Sequence, residues 1–323
     1  MMNYIPTLQE CADKHRNEGI GTVINDGKAV RFERDGGMTR AEIVEKLLSE
    51  ASLVMGEGCE VKHCMANKDN SVKYPAFSIR ELGSEVSINI DISDWMKGVA
   101  AGKQTAKAAA KGISGIYDAH KKKAIVFSNV IKGLSKEKIL KNVVCQLLNA
   151  EWNKEMLECV PHERLMDLAV VYRAVVNIDR RYVTFIVNHS MRQMFGIQEQ
   201  ELKRYARWNT ELKGFNSFSV SSLYSETERP SMWAFTNSNG RYGAAAMLFP
   251  ILFERLSRNL ASSLYIFPYS VHELIAVSTK GLKPKDLRKM ARLINKKIVN
   301  EEEALSDNVY MYDITKKQIK IVQ

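Results

Sequence analysis

Two histidines carry the few residue patterns in this 323-residue chain that could do acid–base or metal chemistry. His272 and Glu273 sit in SVHELIAV, and an imidazole beside a carboxylate can move protons. Read as the start of a strand, the same segment turns the two side chains to opposite faces, so they cannot act as a pair. The structural reading is favoured: His272 bonds a turn backbone and Glu273 faces water. His162 lies in CVPHER, after Cys159, and Cys59, His63 and Cys64 form a second small set. Zinc sites usually bring tight paired spacings, which neither set has, so buried thiols and a histidine at the start of a helix are favoured and no metal is expected.

Other sites of chemistry are absent as motifs. Tyr242-Gly243-Ala244-Ala245-Ala246 could let a ligand approach the backbone, but small residues on a strand more often let a helix pack close. No glycine run fits a phosphate loop or dinucleotide fingerprint, and there is no G-x-S-x-G elbow, so no cofactor is expected.

Charge is the stronger signal. The net charge is +10 and unevenly placed. Residues 101–150 carry +8 and residues 280–300 carry +7, which leaves −5 for the rest. Lys103, Lys107 and Lys111 recur every fourth residue, as on one helix face, and Lys121, Lys122 and Lys123 follow. Lys285, Arg288, Lys289 and Arg292 form a second group, with Lys296 nearby. Such rows can neutralise phosphates or meet an acidic protein, although charge runs are often only solvated faces. Trp208, Trp233 and Tyr242 could stack bases, but burial is the favoured reading for these aromatics. No helix-turn-helix, zinc-finger or RNP motif accompanies them.

The elements that must hold these residues read as α+β, with antiparallel sheets built from hairpins and helices packed on one face. A helix is predicted at 7–16 and a hairpin at 21–33 around Asn25-Asp26-Gly27. Thr39-Arg40-Ala41-Glu42 is a capping box opening a helix with Ile43, Leu47, Leu48 and Ala51 on one stripe. Strands follow at 60–65, 76–82 and 86–91, then helix in pieces over 94–123, weakened by Gly112 and Gly115. A helix from Ser135 places Ile139, Val143, Leu147 and Leu148 inward, followed by a hairpin at 167–187 and two short helices to 207. Strands at 233–236 and 241–248, a helix from Pro250, strands at 264–267 and 271–277, an amphipathic helix at 284–298 and a last hairpin complete the chain. The implied domains are an α+β lobe at 1–134, a helix–hairpin–helix region at 135–210, a Ser-rich linker at 211–231 and a ββα-ββα-ββ lobe at 232–323.

The amount of apolar residue, 45%, is ample for a buried core, and no apolar run approaches membrane-span length. The N-terminus has no basic head followed by an apolar stretch, and five scattered cysteines read as reduced thiols, so a cytoplasmic location is expected.

Several stretches resemble an uncharacterised bacterial family, a domain of unknown function common in anaerobic gut Firmicutes and their mobile elements. They are VPHERLMDLAVVYR (160–173), FGIQEQELKRYARWNT (195–210), GRYGAAAMLFP (240–250), LYIFPYSVHELIAV (264–277) and LSDNVYMYD (305–313). His162, Asp167, Tyr242, Gly243, His272 and Glu273 fall within them. The resemblance implies a cytoplasmic α+β accessory protein and assigns none of these residues a role. Members of the family tend to be acidic, so the basic patches are a departure from it.

The combined expectation is a non-enzymatic interaction or regulatory protein that binds a macromolecular partner through its basic patches. A nucleic-acid-binding accessory protein is the first alternative, and a hydrolase or transferase using His272 or His162 the second.

Overall fold

The computed structural model describes residues 38–84, 87–178, 181–219, 232–268, 270–297 and 299–322. The helix predicted at 7–16, the hairpin at 21–33 and residues 220–231 of the predicted linker lie outside these, as do the side chains of Lys122 and Lys123. The described residues fall into two compact units, one of residues 38–68 and 72–134, the other of residues 69–71 and 135–322.

In the first unit, helix α1 (Arg40–Met55) begins at the capping box. Thr39 accepts from the Glu42 N–H, and the Glu42 carboxylate accepts from the Thr39 N–H at 2.6 Å. Its buried stripe is Ile43, Leu47 and Ala51. Strands β1 (Cys59–Asn67), β2 (Lys73–Glu81) and β3 (Ser87–Asp91) form an antiparallel meander. Helices α2 (Ser93–Ala100) and α3 (Ala106–Lys132) complete the unit. The core joins Phe77, Ile79 and Ile90 to Leu47, Ile113 and Tyr117. Gly112 has a positive role here: a Cβ on it would lie 2.3 Å from the Trp95 indole, so the glycine seats that ring on α3.

In the second unit, α4 (Lys136–Asn142) stops where β4 (Val143–Asn149) starts. The predicted helix over Val143, Leu147 and Leu148 is therefore corrected to a strand buried at every position. A short, continuous apolar run rich in β-branched residues fits a fully buried strand as well as a helix. Helix α5 (Lys154–Leu157) leads to β5 (His162–Leu165), β6 (Leu168–Ile178) and β7 (Arg181–Ile186). β6 is the spine, pairing with β4, β5 and β7. Helices α6 (His189–Met194) and α7 (Glu199–Leu212) follow, with α7 packing through Leu202, Ala206 and Thr210.

The remaining strands, β8 (Phe215–Ser219), β9 (Met232–Asn237), β10 (Leu264–Pro268), β11 (Leu274–Ser278), β12 (Tyr310–Asp313) and β13 (Gln318–Ile321), form one antiparallel sheet in the order β13-β12-β10-β11-β9-β8. β8 lies within the segment predicted as a linker. The predicted strand at 241–248 is instead a buried 3₁₀ helix, 243–248, and β9 pairs with β8 and β11. Helix α8 (Pro250–Leu260) stacks Phe253 on Phe235, with ring centroids 5.0 Å apart, on one face of this sheet. Helix α9 (Pro284–Lys297) buries Leu287 and Ala291 against Tyr265, Phe267 and Val277 on the other. Among the described residues the fold is α+β with three antiparallel sheets.

Candidate functional site

The sequence motifs meet in the interior of the second unit. Strand alternation sends Tyr172 and Arg173 to opposite faces of β6. Arg173 is fully buried, donates from Nε to Gln146 at 2.5 Å, and lies over the Tyr242 ring with its guanidinium carbon 5.3 Å from the centroid. Tyr242 has left-handed backbone, φ 59°, which turns the chain into the 3₁₀ helix. Its N–H donates to Nδ1 of His272 at 3.1 Å, and the two rings sit 5.5 Å apart. The acid near His272 is Glu303, whose Oε1 is 3.6 Å from Nε2.

This geometry fixes the tautomer. Nδ1 accepts a backbone hydrogen bond, so the neutral ring carries its proton on Nε2, directed at Glu303. Burial pushes the imidazole pKa down, against the opposing pull of Glu303. Nδ1 is engaged by the backbone, Nε2 faces Glu303 beyond hydrogen-bond distance, and Glu273 takes no part in the contact. Gly243 is required by the same junction: a Cβ there would lie 2.5 Å from the His272 carbonyl oxygen and from Thr236 Cα.

Asp167 is a second meeting point. Its carboxylate accepts from Ser306 at 2.6 Å, Asn308 at 2.9 Å and Tyr310 at 2.5 Å, three residues of LSDNVYMYD. Burial, and then the carboxylate, push the Tyr310 phenol well above its usual range. An asparagine cluster adjoins it. Asn153 and Asn70 exchange hydrogen bonds of 2.7 and 2.8 Å, Asn70 donates to the carbonyls of Glu301 and Ala304, and Asn149 donates to that of Leu305. These groups are saturated by one another, as an anchor for the C-terminal segment would be.

On the other face of β6, Glu163 accepts from Tyr172 and Arg207, both at 2.9 Å. Burial works to raise the Glu163 carboxyl, but those two bonds outweigh it and hold it below the usual carboxylate range. A small recess opens beside this cluster. Cys145, Thr210, Lys213, Asn239, Arg241 and Tyr242 line it, and it has room for about one water. Burial pushes the Cys145 thiol up to about 12, so it is no thiolate. Burial also lowers the Lys213 ammonium.

The remaining sequence candidates stay apart. His162 is exposed, with Nδ1 3.0 Å from the Val160 carbonyl. Cys59, Cys64 and Cys145 are free thiols, while Cys11 lies outside the described residues. Among the described residues no three His, Cys, Asp or Glu side chains gather as metal ligands. Lys103, Lys107 and Lys111 are exposed in the first unit, whereas Lys121 pairs with Glu81. Lys285, Lys289 and Arg292 are exposed on α9, and Arg288 is half-buried.

The expected burial of Trp208 is overturned. It is 63% exposed, and with Tyr205 at 37% and Leu212 at 71% it forms an outward stripe on α7. The spacing of these three against buried Leu202, Ala206 and Thr210 was legible on a helical wheel.

A buried arginine, a neutral histidine and a saturated aspartate, each tying one segment to another, define an α+β body knit by internal polar contacts. The chain belongs to a family of unknown function (DUF5688), which it matches over residues 41–314. No curated protein and no solved structure matches it. Among the described residues, no helix is long and apolar enough to cross a membrane.

Proposed function

We propose that this is a non-enzymatic, cytoplasmic interaction protein that binds an acidic protein partner through the outer face of α9. The observation that carries the reading is the row Lys285, Lys289, Arg292 and Lys296. Spaced four, three and four residues apart, they share one helix face and are exposed, and none forms an ion pair with a described residue. Several cations elsewhere are paired with carboxylates: Lys203 with Glu199, Arg207 with Glu163 and Lys136 with Glu201. Leu293, 53% exposed on the same helix, adds an apolar contact of the kind protein interfaces use. A regulatory or defence role in a mobile-element setting is in keeping with the family resemblance.

The second reading, nucleic-acid binding, draws on Trp208 and Tyr205, which stand exposed with Arg204 over the Tyr205 ring at 5.4 Å. It ranks lower because Lys203 and Arg207 beside them are already paired with carboxylates. A hydrolase or transferase using His272 or His162 has less support again. Nδ1 of His272 is taken by the Tyr242 N–H, with Nε2 facing Glu303, and among the described residues His162 is bonded to a backbone carbonyl.

The test is capture from native lysate, with and without nuclease, by the wild type and by the double variant Lys289→Glu, Arg292→Glu. A protein retained despite nuclease, and lost with the variant, is the expected result. Loss on nuclease treatment moves the assignment to nucleic acid, and equal retention by the variant removes α9 from the interface.

A further inference from the structure

The basic row on α9 has a counterpart of opposite sign in the same unit. Around α5 the chain turns helically from Asn149 to Glu158. The Asn149 side chain accepts from the N–H groups of Glu151 and Trp152, and the Leu157 N–H donates to the Asn153 carbonyl. Glu151, Glu155 and Glu158 recur four and three residues apart along this turn and are exposed. Lys285, Lys289 and Arg292 have the same spacing on α9. Glu301 joins the acidic side, because Asn70 donates its N–H to Asn153 and its carboxamide to the Glu301 carbonyl. Lys154 is the cation among these carboxylates. Neither these four glutamates nor Lys285, Lys289 and Arg292 form ion pairs with described residues.

Two rows of opposite charge and equal period match along about 10 Å of helix. We propose that the acidic partner of α9 is a second copy of this chain, whose turn around α5 receives the basic row. The inference rests on α9 being a binding face and names what it binds. Each copy offers both rows, so two copies exchange them across a two-fold axis and the assembly closes as a dimer. Leu293 on α9 and the half-buried Met156 beside Glu155 add apolar contact. The net charge of +10 opposes the encounter at long range. Physiological salt screens that repulsion beyond about 8 Å, and rows in contact lie within that distance. Exposed ion pairs are individually weak, so the dimer is a weak one that added salt disrupts.

Sedimentation of the whole chain from about 10 to about 500 µM, in about 0.15 M and about 1 M sodium chloride, reads the association. Three proteins are compared: wild type, the double variant Lys289→Glu, Arg292→Glu, and the double variant Glu155→Lys, Glu158→Lys. All four positions are exposed, so the variants should melt with wild type. The expected result is a wild-type dimer whose dissociation constant rises about tenfold or more at high salt, with each variant alone a monomer. Mixing the two variants should restore dimers, because the exchanged charges then meet their opposites. A wild type that stays monomeric, association untouched by either exchange, or a mixture that stays monomeric overturns the inference. If the α9 variant then still loses a protein captured from lysate, α9 remains a binding face for a foreign partner. If it captures as wild type does, both readings fall.

Discussion

Tyr310 donates its phenolic hydrogen to Asp167 at 2.5 Å, joining residues 143 positions apart in the chain. Ser306 and Asn308 share the same carboxylate. The contact ties the segment after α9 to the turn between β5 and β6. Replacing Asp167 by Ala strands three donors, and the expected loss is about 3 kcal/mol. Tyr310→Phe removes one donor and should cost about 1–2 kcal/mol. Urea unfolding of the two variants beside wild type checks both the size and the order.

Gly243 meets backbone rather than flexible side chains on every near side. Gly243→Ala should therefore destabilise by about 2–3 kcal/mol, since neither the His272 carbonyl nor Thr236 Cα can move aside cheaply. A thermal midpoint unchanged from wild type would mean that the 3₁₀ segment shifts freely.

Two glycines in α3 should respond with opposite signs. A Cβ on Gly115 would meet nothing within 4 Å, so Ala there should stabilise by about 0.5–1 kcal/mol through helix propensity. Gly112→Ala should destabilise, because its Cβ would enter the Trp95 ring. Paired thermal melts decide the matter.

Acid should weaken the fold partly through His272. Its folded pKa lies below the ordinary 6.5, because burial outweighs the pull of Glu303. The unfolded chain thus binds the proton more readily, and the contribution is fully present above 6.5 and lost as pH falls toward the folded value. His63, lowered by burial and then by Arg40, acts with the same sign. His272→Asn keeps an acceptor for the Tyr242 N–H and cannot titrate. Its thermal midpoint should fall less than that of wild type between about pH 8 and about pH 5.

The α7 stripe should separate binding from stability. Trp208→Ala removes an exposed ring and should change stability by no more than about 0.5 kcal/mol. Leu202→Ala, on the buried side of the same helix, should cost about 2–5 kcal/mol. Denaturant melts read both, and the Trp208 variant is then suited to the capture experiment.

The sequence by itself determined what local chemistry determines. The Thr39–Glu42 capping box needs only its own turn, and the alternation of β2 and β3 needs only a covered face, so both were legible. So was the helix at Pro284, from its apolar stripe. Tertiary structure decided the rest, because the deciding partners are far apart in the chain. Residues 143–149 became a strand because β6 was there to pair with them, while their apolar run suited either state. Residues 243–248 left the predicted strand at Tyr242, whose left-handed backbone turns the chain into the 3₁₀ helix, and the gap beside His272 and Thr236 takes no side chain at Gly243. His272 met Glu303 and Asp167 met Tyr310 by chain closure, for which no spacing in the sequence is a signal.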